Sequence, residues 1–232
     1  MKHICLIILL VQSFILAGAC SAQTPSSLGY DTTYSSSYYE QKVSLFRLLP
    51  DSPGEIIFLG NSLTDIAEWA ELWQNPLVKN RGISSDITFG VLNRLDEVTA
   101  SGPAKLFLMI GINDIARGIP DAVIVANLQK IILQVRRQSP RTQLYLQSLL
   151  PTNNHFSEYK GYQNKETHIL AVNAELQRLA RIHGATYINL HAVFSDADGR
   201  LDSRYTNDGL HLNGRGYLRW KEALMQLNHC CP

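Results

Sequence analysis

The chain has 232 residues, 45% of them hydrophobic, which suffices for one substantial core and makes a single domain the default. Its 21 basic and 20 acidic side chains nearly cancel, which speaks against nucleic acid or an anionic surface as partner. Four cysteines, two of them adjacent at Cys230 and Cys231, make neither a disulfide framework nor a zinc-ligand spacing.

Residues 1–22 read as an export signal: Lys2, a mostly apolar run over 4–17, then the small residues Ala17, Gly18, Ala19, Cys20, Ser21 and Ala22. The apolar run is short for a membrane span and is interrupted by Gln12 and Ser13. Cleavage after Ala19 and cleavage after Ala22 both fit. Cys20 behind small residues also admits lipoprotein processing, although Ala17 stands where that signal usually has an aliphatic residue. A soluble exported protein, periplasmic or secreted, is the preferred reading, with membrane attachment only through a lipidated Cys20.

Residues 23–37 are polar and rich in Ser, Thr and Tyr, a tether or surface-hugging lead-in, and residues 38–232 are read as the one folded domain. Ser37 and Glu40 fit a capping box before an amphipathic helix through Tyr39, Val43 and Phe46. Residues 55–59 form a continuous apolar run between Pro53-Gly54 and Gly60, the signature of a short buried strand. A helix is predicted to follow at once, with Thr64 and Asp65 as capping candidates. Residues 77–80 are a weak second strand, and residues 86–100 a helix through Val91, Leu92, Leu95 and Val98. A third strand over 105–110 is followed by a long helix opened by Pro120. A fourth strand covers 143–149. A helix over 165–183 stops at Gly184, a fifth strand covers 186–190, and a closing helix spans 213–227. Five alternations of strand and helix predict a three-layer α/β/α domain around a mainly parallel sheet.

The distinctive polar clusters fall just after predicted strands. Ser62 follows the first, Asn80-Arg81-Gly82 the second, Gly111-Ile112-Asn113-Asp114 the third, and Asn207-Asp208-Gly209-Leu210-His211 the fifth. In a parallel sheet these ends share one edge, so residues distant in sequence converge. A serine hydroxyl needs a base to become a nucleophile; His211 can be that base and Asp208 can hold its other nitrogen. The Ser62 N–H, the flexible Gly82 and the Asn113 amide can supply donors to a tetrahedral oxyanion. Taken one at a time, each has a plainer use: Ser62 or His211 as a helix cap, Gly82 and Asp208-Gly209 as turns, Asn113 as a local backbone partner. Trp69, Trp73 and Trp220 stand at helical spacing and read as core. His155 sits in a loop after the fourth strand that could border the pocket, a solvated loop being the preferred reading. Arg81 and Asp86 are candidates for bracing the loop around Gly82.

The ordered blocks Gly60-Asn61-Ser62-Leu63, Asn80-Arg81-Gly82, Gly111-Ile112-Asn113-Asp114 and Asp208-Gly209-Leu210-His211 resemble the four blocks of the SGNH (GDSL-type) hydrolases, over residues 55–227. The wording is closest to bacterial relatives of platelet-activating-factor acetylhydrolase subunits and sialate O-acetylesterases. The resemblance implies a flavodoxin-like fold, Ser62 as nucleophile, Asp208 and His211 as its partners, and Ser62, Gly82 and Asn113 around the oxyanion. It implies no metal or organic cofactor. Asn61 departs from the namesake pattern, which has Asp there. A Gly-x-Ser-x-Gly elbow is absent, since Thr64 stands at its last position.

The expectation is an exported serine esterase removing short acyl groups, acetyl first, from O-acylated carbohydrates. The alternatives are a lysophospholipase or thioesterase acting on longer chains, and a carbohydrate-binding protein without catalysis on the same fold. A flavodoxin-like phosphate or flavin binder is disfavoured, because its first loop would be richer in Ser, Thr or Gly.

Overall fold

Ile56–Gly60 (β1), Val78–Gly82 (β2), Lys105–Met109 (β3), Gln143–Gln147 (β4) and Thr186–Ile188 (β5) form one sheet in a computed structural model that describes residues 29–226. The order is β2-β1-β3-β4-β5, and every neighbouring pair is parallel. All five residues of β1 are buried, as a strand covered on both faces requires. β1 is a continuous apolar run for that reason, whereas β2 carries Lys79, Asn80 and Arg81.

The helices are Ser37–Leu48 (α1), Ser62–Asp65 (α2), Trp69–Trp73 (α3), Thr88–Ala100 (α4), Ile112–Ala116 (α5), Asp121–Gln138 (α6), Glu166–Ile182 (α7), Leu190–Phe194 (α8) and Gly214–Met225 (α9). The three long crossover helices α4, α6 and α7 pack side by side, while α3 and α9 pack together against the other layer. Beneath α3 and α9 runs an aromatic row. Phe58, Phe107 and Tyr145 occupy register-matched positions on three adjacent strands, with ring centroids 4.7 and 4.5 Å apart. Trp69 stacks on Phe58 at 3.8 Å and meets Trp220 edge-on at 5.1 Å. Trp69 and Trp220 are therefore core, and Trp73 packs partly buried beside them. Each of these rings removes on the order of 150–250 Å² of mostly apolar surface from water.

Several local expectations are corrected. Ser36, not Ser37, caps α1 by accepting from the Tyr39 N–H, and Glu40 takes a hydrogen bond from Ser35 Oγ. Asn61, not Thr64 or Asp65, caps α2 through its side-chain oxygen, which leaves Ser62 as the first helical residue. The helix expected from residue 86 starts at Thr88, because the Asp114 carboxylate reaches across to accept from Thr88 N and Oγ1 at 3.1 and 2.5 Å. A cap donated from 26 residues away has no local signature. The readings at residues 1–22 and at Cys230-Cys231 lie outside the described residues.

Candidate active site

Because all five strands run the same way, the segments leaving β1, β2, β3 and β5 meet on one edge. Ser62 opens α2 directly beyond β1, where its backbone N–H has no intrahelical acceptor. That short helix is held from below by the Trp69 indole donating to Thr64 O (2.8 Å) and the Tyr217 hydroxyl donating to Leu63 O (2.9 Å). Ser62 Oγ lies 3.0 Å from His211 Nε2, and His211 Nδ1 lies 2.8 Å from Asp208 Oδ2.

The Asp208–His211 turn is built to hold that geometry. Asp208 Oδ1 accepts from the N–H groups of Leu210 (2.9 Å) and His211 (2.7 Å), so the carboxylate is oriented before it meets the ring. Gly209 between them has φ +81°, and a Cβ there would overlap Asn153 O. Burial pushes Asp208 up, but the Leu210 N–H, the His211 ring and the His211 N–H outweigh it and hold the carboxyl below its ordinary range. An ionised Asp208 can only accept, so Nδ1 carries the hydrogen and Nε2 offers a lone pair to the Ser62 hydroxyl. The cap of the last helix is Asn213, which leaves His211 free for this contact.

Ser62, His211, Asp208 and Asn113 line one cavity of about 380 Å³. Asn113 sits in the first turn of α5, beyond β3. Its Nδ2 donates to Asp86 O (2.8 Å) and its Oδ1 accepts from the Tyr162 hydroxyl (2.9 Å), so one amide hydrogen is left without either partner. Behind this loop lies a buried charge network. Arg94 Nε pairs with Asp86 Oδ2 at 3.0 Å while its Nη2 donates to Arg81 O at 2.9 Å. Asp86 thus braces the loop as expected, and Arg81 donates from Nη1 to Asn80 O (3.1 Å) while its Nε pairs with Glu97 at 3.3 Å.

Residues 58–219, more than half of the sequence, match the profile of the GDSL-like lipase/acylhydrolase family. The chain belongs to this family. It is a carboxylic ester hydrolase. It is 27% identical to the human platelet-activating factor acetylhydrolase IB subunit alpha1 over 183 residues, 76% of each chain. A platelet-activating-factor-type structure from Streptococcus pneumonia shares the fold with a TM-score of 0.75 and 29% identity, over 82% of this chain and 92% of that one. An acetylxylan esterase from Geobacillus stearothermophilus shares it at a TM-score of 0.60 and 18% identity, over 76% of this chain and 94% of the other.

Within this family member, Gly82 departs from the sequence expectation. Its N–H donates to Asn80 Oδ1 at 2.8 Å, and it does not line the cavity. A Cβ at Gly82 would overlap the backbone of Asp65, so the glycine is there to let β2 pass close under α2. The residues that do face the cavity from this segment are Ser84 and Ser85. Ser85 has φ +67°, a left-handed conformation that costs a non-glycine residue about 1 kcal/mol or more. The Ser85 N–H has no acceptor among the described residues, while its carbonyl accepts from Arg117.

Sequence reasoning also missed Tyr159 and Tyr162, which wall the cavity from the loop after β4. Tyr159 sits edge-on to the His211 ring at 4.9 Å. The signal available was the position of that loop at a strand end. His155, the residue singled out there, turns instead to Arg200 at 3.2 Å on the surface. Among the described residues no cluster of His, Cys, Asp or Glu has metal-binding geometry.

Proposed function

We propose that the protein is a serine esterase removing short acyl groups, acetyl in the first place, from O-acylated carbohydrates. The observation that carries this reading is the unbroken Ser62–His211–Asp208 relay opening into a small cavity with mixed polar and aromatic walls. His211 Nε2 takes the Ser62 proton as Oγ attacks the carbonyl carbon. The carbonyl oxygen becomes an oxyanion facing the Ser62 and Ser85 N–H groups and the remaining Asn113 amide hydrogen. Collapse breaks the bond to the alcohol oxygen, which leaves with the proton from His211 and leaves the acyl group on Ser62. Water then gives a proton to His211, attacks the acyl carbon, and releases the acid as Ser62 regains its hydrogen.

Acetyl specificity is supported by the limited cavity and by the names of two relatives, an acetylhydrolase subunit and an acetylxylan esterase. Tyr159, nearly half exposed beside His211, stands where the departing alcohol would be protonated and offers a ring face or edge to a sugar. Export rests on the N-terminal pattern of Lys2, the apolar run and the small residues after it.

A second reading is favoured by a separate groove of about 500 Å³ that shares Ile66 with the cavity and continues along Leu72, Leu212 and Leu218. A longer acyl chain would lie there. Hydrolysis of p-nitrophenyl acetate, butyrate and octanoate by the mature protein, with Ser62→Ala as control, separates the readings. Acetate turnover that falls with chain length and is lost in the variant supports the first; octanoate preference supports the second. Absence of Ser62-dependent turnover would leave a non-catalytic binding protein.

A further inference from the structure

The family match begins at residue 58, yet the segment before it reaches the catalytic edge at three points. All three converge on the turn of residues 83–86, closed by the Asp86 N–H donating to Ile83 O, which carries Ser84 and Ser85 into the cavity.

The first point is Asp65, at the end of α2. Its Oδ2 accepts from Ser84 N (3.0 Å) and Ser84 Oγ (2.8 Å), and also from the Tyr38 hydroxyl of α1 (2.7 Å). Its Oδ1 pairs with Lys42 of α1 at 2.7 Å, and the carboxylate is almost wholly buried. Burial pushes this carboxyl up, but Lys42, Tyr38 and Ser84 together bring it below the ordinary range. The second point is apolar. Ile83, fully buried, packs in a small cluster with Tyr39, Val43 and Phe46 of α1, apart from the main core. The third is Arg117, whose Nη2 donates to Ser85 O at 3.1 Å while its Nη1 donates to Thr33 O, with the Asp31 carboxylate 3.7 Å away.

We infer that the N-terminal segment, residues 31–48, is a positioning element of the active site, clasping the 83–86 turn so that the strained Ser85 presents its N–H to the ester carbonyl oxygen. This rests on the serine esterase reading with Ser85 as an oxyanion donor. The physical reason is the left-handed Ser85. A type of turn that ordinarily takes glycine relaxes unless its neighbours over-determine it, and here the neighbours on three sides come from, or are shared with, a segment before the residues that the family profile matches. An oxyanion donor out of place typically costs about 10²–10³ in kcat.

The double variant Tyr38→Phe/Lys42→Met removes both α1 partners of Asp65 and keeps the Tyr39, Val43 and Phe46 packing that holds α1 in place. Arg47→Ala, on the exposed face of α1, is the control. The expected result is a kcat reduced about 10-fold or more with KM within about twofold. Affinity for a trifluoromethyl ketone, whose hemiketal adduct on Ser62 carries the oxyanion, falls in parallel, and Lys42→Arg retains activity. Amide hydrogen exchange at Ser84 and Asp86, whose N–H groups are bonded to Asp65 Oδ2 and Ile83 O, speeds up in the double variant and not in Arg47→Ala. Unchanged kcat together with unchanged exchange in the folded double variant overturns the inference, as does a loss confined to KM. Failure of the esterase reading shows separately, as absence of Ser62-dependent turnover in the unmodified protein; exchange at Ser84 and Asp86 then decides the clasp on its own.

Discussion

The Tyr162 hydroxyl donates to Asn113 Oδ1 at 2.9 Å, and that bond fixes which way the Asn113 amide faces. Because Asn113 Nδ2 must donate to the Asp86 carbonyl, the amide is held from both ends. Tyr162→Phe removes the hydroxyl alone. A hydrogen bond of this kind contributes about 1 kcal/mol, so kcat should fall about 5- to 10-fold with KM nearly unchanged. Asn113→Ala should cost about 10²–10³. Steady-state kinetics on one acetate ester checks both; a Tyr162→Phe enzyme with unaltered kcat would remove the positioning role.

Asp208→Asn should leave the fold in place and lower kcat by about 10³–10⁴, because an amide no longer selects the His211 tautomer with its lone pair on Nε2. Since Asp208 is held below its ordinary range, its stabilisation is fully present above about pH 4 and is lost as pH falls through its folded value. Wild-type kcat/KM measured from pH 4 to pH 9 should therefore show no acid limb that disappears in the Asp208→Asn variant. A limb between pH 5 and 7 that vanishes with the substitution would contradict this.

Arg94 and Asp86 are both completely shielded from solvent. Arg94→Met would strand the Asp86 carboxylate and should destabilise the protein by about 3–5 kcal/mol. Adding Asp86→Asn should recover part of that loss, since no charge is then left unpaired. Urea unfolding of the two single variants and the double variant measures it. A single-variant loss under about 1 kcal/mol would show that the pair contributes little.

Asp114 and Asp86 give the opposite pH dependence to Asp208. Burial pushes each up to about 6, so the folded state holds a proton that the unfolded chain releases near pH 4. Their contribution to stability is present below about pH 4 and is lost as pH rises towards about 6. Melting temperatures recorded from pH 4 to pH 7 should carry this downward component, and Asp114→Asn should reduce it. A slope unchanged by the substitution would show that Asp114 titrates as an ordinary carboxylate.

Ser62, Asp208, His211 and Asn113 were legible because strand ends can be read from apolar runs, and a parallel sheet gathers strand ends. Their partner contacts then follow from short local turns, such as Asp208 accepting the His211 N–H. Gly82 was legible as a special position but not for its purpose. Only the close passage of β2 under Asp65 shows why a side chain is excluded there.

The sequence by itself determined the alternation of five strands with their helices, the aromatic core positions, and the four polar segments that approach one another. Those depend on hydrophobic period and on turn chemistry, which are local. Tertiary structure alone decided that Ser85 faces the cavity, that Tyr159 and Tyr162 wall it, that Asp114 caps a helix 26 residues upstream, and that α1 grips the 83–86 turn. Each is a contact between segments far apart in the chain, set by close packing and by the need of buried polar groups for partners.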